Sequence, residues 1–384
     1  MNCQKHLFEL PEDVHYLNCA YMSPNLRNVE KAGITGVIKK REPWTITPDH
    51  FFNDSNRLRK LFAHVVNASK PEDVAILPSV SYGMATVAKN LPVSAGRKII
   101  IAGEQFPSNV YSWRRFCDEN KCELTVVEAP ENGENRGEKW NYRILEAITT
   151  NTLMVAISNV HWADGTRFDL KSISKAAKEK NAYLVIDGTQ SVGALPLDLQ
   201  DIEPDALICA GYKWLLGPYG IAMGYFGPRL SDGIPLEEGW ITRKNSRDFS
   251  SLVRYREEYQ PGAVRFDVGE RSNPITLPMM IAALHQIIEW GPESIQNYCK
   301  ELTGSMIQSI ESLGYRVEAS QWRGHHMFGV RLAGNIDINE MQKKLSDRNI
   351  HVSIRGSSVR ISPNVYNNMA DMDALEEVLQ ELVK

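Results

Sequence analysis

The sequence is poor in the features that mark secreted and metal-binding proteins. Its six cysteines in 384 residues (Cys3, Cys19, Cys117, Cys122, Cys209, Cys299) show no paired spacing. That excludes a disulfide framework and a zinc cluster, and makes a reducing cytoplasm the expected compartment. No run approaches the roughly 18 consecutive apolar residues of a membrane span. The start, Met1-Asn2-Cys3-Gln4-Lys5-His6, leads into polar residues rather than an apolar signal core. Charge of one sign is also missing: 43 Lys+Arg against 47 Asp+Glu gives −4. This speaks against a basic surface for nucleic acid or anionic membrane. There is no internal repeat and no low-complexity tract. What is present is ordinary globular usage, 43% hydrophobic and 23% charged, in a chain long enough for two domains.

From residue 74 to 226 short apolar runs alternate with longer amphipathic stretches. The runs are Val74–Leu77, Lys98–Ala102, Leu124–Val127, Leu153–Ile157, Tyr183–Ile186, Ala206–Cys209 and Ile221–Phe226. Helix-like segments lie between them at Tyr82–Asn90, Ser108–Asn120, Tyr142–Thr150 and Leu170–Lys180. This rhythm predicts βαβ units and a mostly parallel sheet covered on both faces. Trp240 to Asn273 is polar and Arg-rich and reads as long loops, which are often functional. A long helical pattern follows over Ile275–Leu313, broken near Gly291-Pro292. Short strands are expected at Tyr315–Glu318, His326–Leu332, His351–Ile354 and Val359–Ser362, with helices at Ile338–Arg348 and Met372–Val383. The organisation expected is an arm (1–20), a large domain (21–274), and a linking helix with a smaller α+β domain (275–384).

Ligands of open α/β sheets sit beyond the carboxyl ends of the strands. After the first run, Pro78-Ser79-Val80-Ser81-Tyr82-Gly83 opens a helix, either as a phosphate site or as an ordinary N-cap. Phe106, after the second, covers a heterocycle or packs in the core. His161, after the fourth, relays protons or is structural. Asp187 ends a buried parallel strand, where a carboxylate requires a cation. Gln190 can aim its amide at the same object. Lys213 sits in Ala210-Gly211-Tyr212-Lys213-Trp214, apolar and aromatic company that lowers an amine's pKa and suits Schiff-base chemistry. One cofactor meets all five demands: pyridoxal 5′-phosphate (PLP). The 26 positions between Asp187 and Lys213 leave room for a turn and one more strand.

These motifs resemble the class V aminotransferases, a family of fold-type I PLP enzymes. The resemblance is strongest at Asp187–Gly193 with Gly211–Gly220, and recurs at Tyr16–Tyr21, Ser158–Thr166 and Val359–Asn368. It implies a large domain with a mostly parallel seven-stranded sheet and a smaller C-terminal α+β domain. It further implies that Lys213 forms the Schiff base and moves the proton, and that Asp187 faces the ring nitrogen. Gln190 and His161 fall near the phenolic oxygen, Phe106 on the ring face, and Val80, Ser81, Tyr82 and Tyr212 at the phosphate. Ser272 and Asn273 resemble a segment reaching the partner subunit's phosphate in a homodimer. Arg360 matches the arginine that grips the substrate carboxylate, which a guanidinium fork fits with two parallel hydrogen bonds.

The expected activity is therefore amino-group transfer between amino and keto acids. A lyase or epimerase of the kynureninase or isopenicillin-epimerase type is the alternative, and a non-catalytic binding protein ranks last. Desulfurases need a cysteine shortly before the carboxylate arginine. The stretch His351–Arg360 is short and has none. Cys19 reads as buried packing. His325-His326 is read as a strand start, with rings on opposite faces and hence no metal. Arg114, Arg115, Arg243, Arg265 and Arg271 either recognise a second acidic group on a substrate or, for most of them, are solvated.

Overall fold

The computed structural model describes residues 1–93, 95–131, 135–332, 336–355 and 358–383. An N-terminal arm carries β1 (His15–Tyr16) and leads into α1 (Arg27–Lys39) and α2 (Asn53–Val65). Strands and helices then alternate: β2 (Val74–Leu77), α3 (Val80–Asn90), β3 (Lys98–Ala102), α4 (Tyr111–Asn120), β4 (Glu123–Val127), α5 (Arg136–Ala147), β5 (Thr152–Ser158), α6 (Leu170–Glu179), β6 (Tyr183–Asp187), α7 (Leu199–Ile202), β7 (Ala206–Ala210) and β8 (Ala222–Phe226). The remainder holds α8 (Thr276–Trp290), α9 (Pro292–Ser312), β9 (Arg316–Val317), β10 (Phe328–Arg331), α10 (Ile338–Asp347), β11 (Ile350–His351), β12 (Ser353–Arg355), β13 (Ser358–Ile361) and α11 (Met369–Glu381).

The seven apolar runs form one seven-stranded sheet in the order β2-β8-β7-β6-β5-β3-β4. Only β8 runs against the rest. β5 is buried at all seven positions and β7 at all five, as strands covered on both faces must be. Two apolar clusters lie on the two faces, one around Ile157, Ile186 and Met280, the other around Ile208, Trp113 and Phe266. β12-β13-β10-β9 form a second, antiparallel sheet.

Several elements depart from the expectation. α1 and α2 are absent from the sequence reading. Gly33 and Gly36 look like helix breakers, yet they let α1 lie against α8. A Cβ on Gly36 would come within 2.0 Å of the Pro274 carbonyl oxygen. α5 begins six residues earlier than expected because Gly137 and Trp140 are buried, with the Gly137 N–H donating to Glu318 at 2.9 Å. His325 and His326 do not start a strand; β10 begins at Phe328. The His326 ring is buried instead against Trp214. The expected strand His351–Ile354 is split into β11 and β12. β11 pairs in parallel with β1, so the arm is woven into the C-terminal part of the chain. Of the arginines read as solvated, Arg271 is 2% exposed and holds the buried Asp267, whereas Arg243 and Arg265 pair with Glu238 and Asp232. No helix among the described residues is long and apolar enough to cross a membrane.

Candidate active site

A cavity opens at the carboxyl ends of β2, β3, β5, β6 and β7. Its wall includes Ser79, Val80, Ser81, Gln105, Phe106, Ser158, Trp162, Asp187, Thr189, Gln190, Tyr212 and Lys213. Asp187 is the last residue of β6, paired in register with Ser158 on β5 and Ile208 on β7. Its carboxylate accepts from the Thr189 N–H at 3.0 Å. Burial pushes its pKa up, against the Thr189 hydroxyl and backbone and the positive Lys213. A carboxylate in that position is stabilised by any cationic group placed before it.

Lys213 follows β7 in a turn closed by the Gly217 N–H donating to the Gly211 carbonyl at 2.8 Å. Gly193 makes that approach possible. Its φ is +102°, and a Cβ there would sit 2.3 Å from the Trp214 carbonyl oxygen. The Lys213 Nζ lies 5.5 Å from the Phe106 ring centroid and 5.6 Å from that of Tyr212. Among the described residues it makes no hydrogen bond or ion pair. Burial pulls its pKa down to about 8, Arg360 adds to the shift, and Asp187 opposes it. The amine is thereby neutral near physiological pH to a degree an ordinary lysine is not.

Gln190 is held from three sides. Its Nε2 donates to the Ala20 carbonyl at 3.2 Å, its Oε1 accepts from the Trp214 indole at 2.9 Å, and His326 Nε2 donates to its carbonyl at 2.8 Å. Ser79 caps α3 by accepting from the Tyr82 N–H at 3.2 Å, so Val80 and Ser81 stand at a helix N-terminus facing the cavity. Phe106 and Trp162 meet edge to face, ring centroids 5.4 Å apart, as one aromatic wall.

Not every expected residue reaches the cavity. His161 is fully buried on its far side. Its ring packs on Trp140 at 4.9 Å, Nε2 lies 3.2 Å from the Gly103 carbonyl, and Nδ1 lies 3.4 Å from Asp164. The residue that turns inward is its neighbour Trp162, because successive residues leaving a strand alternate direction. The Tyr82 hydroxyl is buried with no partner among the described residues and does not line the cavity. Arg360 is 2% exposed, with Nη1 on the Trp162 carbonyl at 2.6 Å and Nη2 on the Ser353 hydroxyl at 3.2 Å. It touches the wall through Trp162. Ser272 and Asn273 lie in a separate groove bordered by α1, where Ser272 donates to the Phe51 carbonyl at 2.6 Å and Asn273 accepts from the Ile275 N–H at 2.9 Å.

Gln105, Ser158, Thr189 and Trp162 also line the cavity; each ends or follows a strand and is within reach of the strand-end rule. Among the described residues Gln105 Nε2 and Ser158 Oγ are buried without a partner. Two orphaned polar groups, an unpartnered amine, a buried carboxylate and a helix start around one cavity match the edge, aldehyde, ring nitrogen and phosphate of PLP.

Comparison with known proteins agrees. The family model for "Aminotransferase class-V" matches residues 49–375. An uncharacterized aminotransferase, YcbU, of Bacillus subtilis is 25% identical over 328 residues, covering 85% of this chain and 83% of its own. Among solved structures, the apo cysteine desulfurase from Thermococcus onnurineus has a TM-score of 0.83 at 20% identity, covering 100% of this chain and 98% of its own. A C-DES mutant with glycine covalently linked to its PLP cofactor has a TM-score of 0.86 at 17% identity, covering 99% of both chains. With the family match spanning most of the sequence and this cavity at its sheet edge, the chain belongs to the class V aminotransferase family of PLP-dependent enzymes.

Proposed function

We propose that the protein is an aminotransferase, moving an amino group between an amino acid and a keto acid. When bound, PLP supplies an electron-withdrawing ring that stabilises negative charge at the substrate Cα. Asp187 holds the ring nitrogen protonated, Phe106 covers a ring face, Val80, Ser81 and Tyr212 border the phosphate, and Arg360 orients the substrate carboxylate. Lys213 Nζ takes the proton from Cα and keeps it on one side of the substrate, a general-base role typically worth about 10²–10⁴-fold.

One observation carries this reading over its rivals. Among the titratable side chains of the described cavity wall, Asp187, Tyr212, Lys213 and Tyr219, the one amine is Lys213, whose pKa burial lowers to about 8. A single base returns its proton on the side from which it came, which suits transfer better than epimerisation. Desulfurase chemistry needs a thiolate. Cys19 is fully buried and its pKa is pushed up to about 12 by burial, while no cysteine follows Cys299. Gly356 and Ser357, within the short stretch where a desulfurase cysteine is expected, lie outside the described residues.

A homodimer in the cytoplasm completes the proposal. Its support is the exposed apolar stripe Ile34, Val37 and Ile38 on α1, beside the groove that holds Ser272 and Asn273. Those two residues are assigned to the partner's cofactor rather than their own. The divisions 1–20, 21–274 and 275–384 are kept as the proposed domains, with the arm seated on the last.

Borohydride reduction followed by peptide mapping is expected to put a pyridoxyl group on Lys213. Mixing holoenzyme with a panel of amino acids is expected to give the pyridoxamine absorbance, reversed by a keto acid. Release of pyruvate or alanine without that absorbance marks a lyase, and loss of optical activity alone marks an epimerase.

A further inference from the structure

Two guanidinium groups converge on Trp162. The Arg355 Cζ lies 5.4 Å from its ring centroid, and Arg360 donates to its carbonyl at 2.6 Å. The β12–β13 register pairs Arg355 with Ser358 and Ser353 with Arg360. Directly paired residues, and residues two apart, project from the same face of a sheet. Arg355, Ser353, Ser358 and Arg360 therefore share one face of this hairpin.

That face holds donors without acceptors. Among the described residues Arg355 Nε, Arg360 Nε and Ser358 Oγ are buried with no partner. Arg355 Nη1 donates to the neighbouring Ile354 carbonyl at 3.0 Å. Among the described residues neither arginine has a carboxylate partner. By contrast, Arg59, Arg136, Arg271 and Arg331 each hold an aspartate. Both Arg355 and Arg360 also disfavour the ammonium form of Lys213, and Asp187 opposes them. An amino acid's α-carboxylate satisfies Arg360 and leaves Arg355 and Ser358 with unfilled donors.

Resting on the assignment of PLP to Lys213 and of the α-carboxylate to Arg360, we propose that Arg355, flanked by Ser358, receives a second carboxylate, so that the enzyme takes a dicarboxylic amino acid. The planar fork of Arg355 fits such a group with two parallel hydrogen bonds, and the Trp162 ring, 5.4 Å from its Cζ, borders it on one side.

The test compares succinate with butyrate, four-carbon acids that differ by one carboxylate, as ligands of the holoenzyme in titration calorimetry. Succinate is expected to bind at least ~10-fold more tightly, the size of one charge-assisted contact. In Arg355→Met the ratio falls to about one, while Arg355→Lys keeps part of it as the charge without the fork. In steady state, Arg355→Met is expected to raise KM for aspartate or glutamate far more than for asparagine or glutamine. Equal affinity for the two acids in the native enzyme, or an unchanged ratio in Arg355→Met, overturns the inference. Borohydride mapping separates the two levels. A pyridoxyl-labelled Lys213 without dicarboxylate preference overturns this inference alone, and absence of the label overturns the underlying reading and this inference with it.

Discussion

The proposed chemistry of the site rests on one amine, Lys213, whose surroundings decide its protonation. A lysine at its ordinary pKa is almost wholly cationic at pH 7. With the pKa of Lys213 lowered from 10.5 to about 8, its neutral fraction there rises roughly 300-fold. The sign of the pH dependence follows. Attack on an aldehyde needs the neutral amine, so capture of added PLP by the apoprotein is expected to speed up through about pH 8 and to level off above it. Arg360 disfavours the ammonium form, so Arg360→Met is expected to move that midpoint to higher pH. Stopped-flow absorbance between pH 6 and 10 reads both, and a midpoint that stays put in the variant removes Arg360 from the neighbourhood of Lys213.

Lys213, Asp187, Phe106 and Gln190 were legible because each follows an apolar run, and the strand-end rule needs only the run. His161 and Trp162 show where that rule loses resolution. It names a segment, and which of two adjacent side chains turns inward depends on the exit angle of β5. Arg355 was invisible for a different reason. Its meaning lies in donors left without acceptors, and no sequence shows that.

At the scale of elements, the strands were readable from Val- and Ile-rich runs, whereas the helices against α8 were not. Their register depends on partners distant in the chain. The same holds for the buried cluster at Asp267. Its carboxylate accepts from Arg59 of α2, from Arg271 ahead of α8, and from the Ile76 N–H of β2 at 2.8 Å. One carboxylate thus fixes two helical segments to the strand that delivers Ser79–Ser81 to the cavity. Removing one member of a buried ionic cluster strands the others without water, at about 3–5 kcal/mol. Asp267→Asn keeps the shape and removes the charge that both arginines need. It is expected to lower the midpoint of urea unfolding and to weaken PLP retention together. Retention that survives a full loss of stability would detach β2 from the phosphate-bordering role.

At the scale of the whole molecule, the surface is too large for a chain of this mass. A compact monomer of 43.4 kDa exposes about 15,300 Å², and this chain exposes 17124 Å². The excess is above the roughly 800 Å² per partner of a standard interface and is of the order of one partner's half of an obligate one, roughly 1,000–2,500 Å². Part of the exposed apolar surface lies on α1 and just beyond it. Ile34, Val37 and Ile38 are 53%, 57% and 45% exposed at helical spacing on α1, and Trp44, just beyond, is 79% exposed. The adjoining face of α1 is already committed to the start of α8 through Gly33 and Gly36, so the stripe cannot turn inward. A second copy of the chain is the occupant consistent with Ser272 and Asn273, which sit in the groove beside α1 rather than in their own cavity. Val37→Asp places a charge in the middle of the stripe without touching the α8 face. It is expected to weaken self-association at least ~10-fold in sedimentation equilibrium, since an unpaired charge at an apolar contact costs more than the 1.4 kcal/mol that this factor represents. Because Ser272 and Asn273 are assigned to the neighbouring subunit's cofactor, the monomer so formed is expected to release PLP faster than the native protein. Unaltered association at micromolar concentration would move the contact off α1, and a stable monomer with undiminished PLP retention would show that each chain completes its own site.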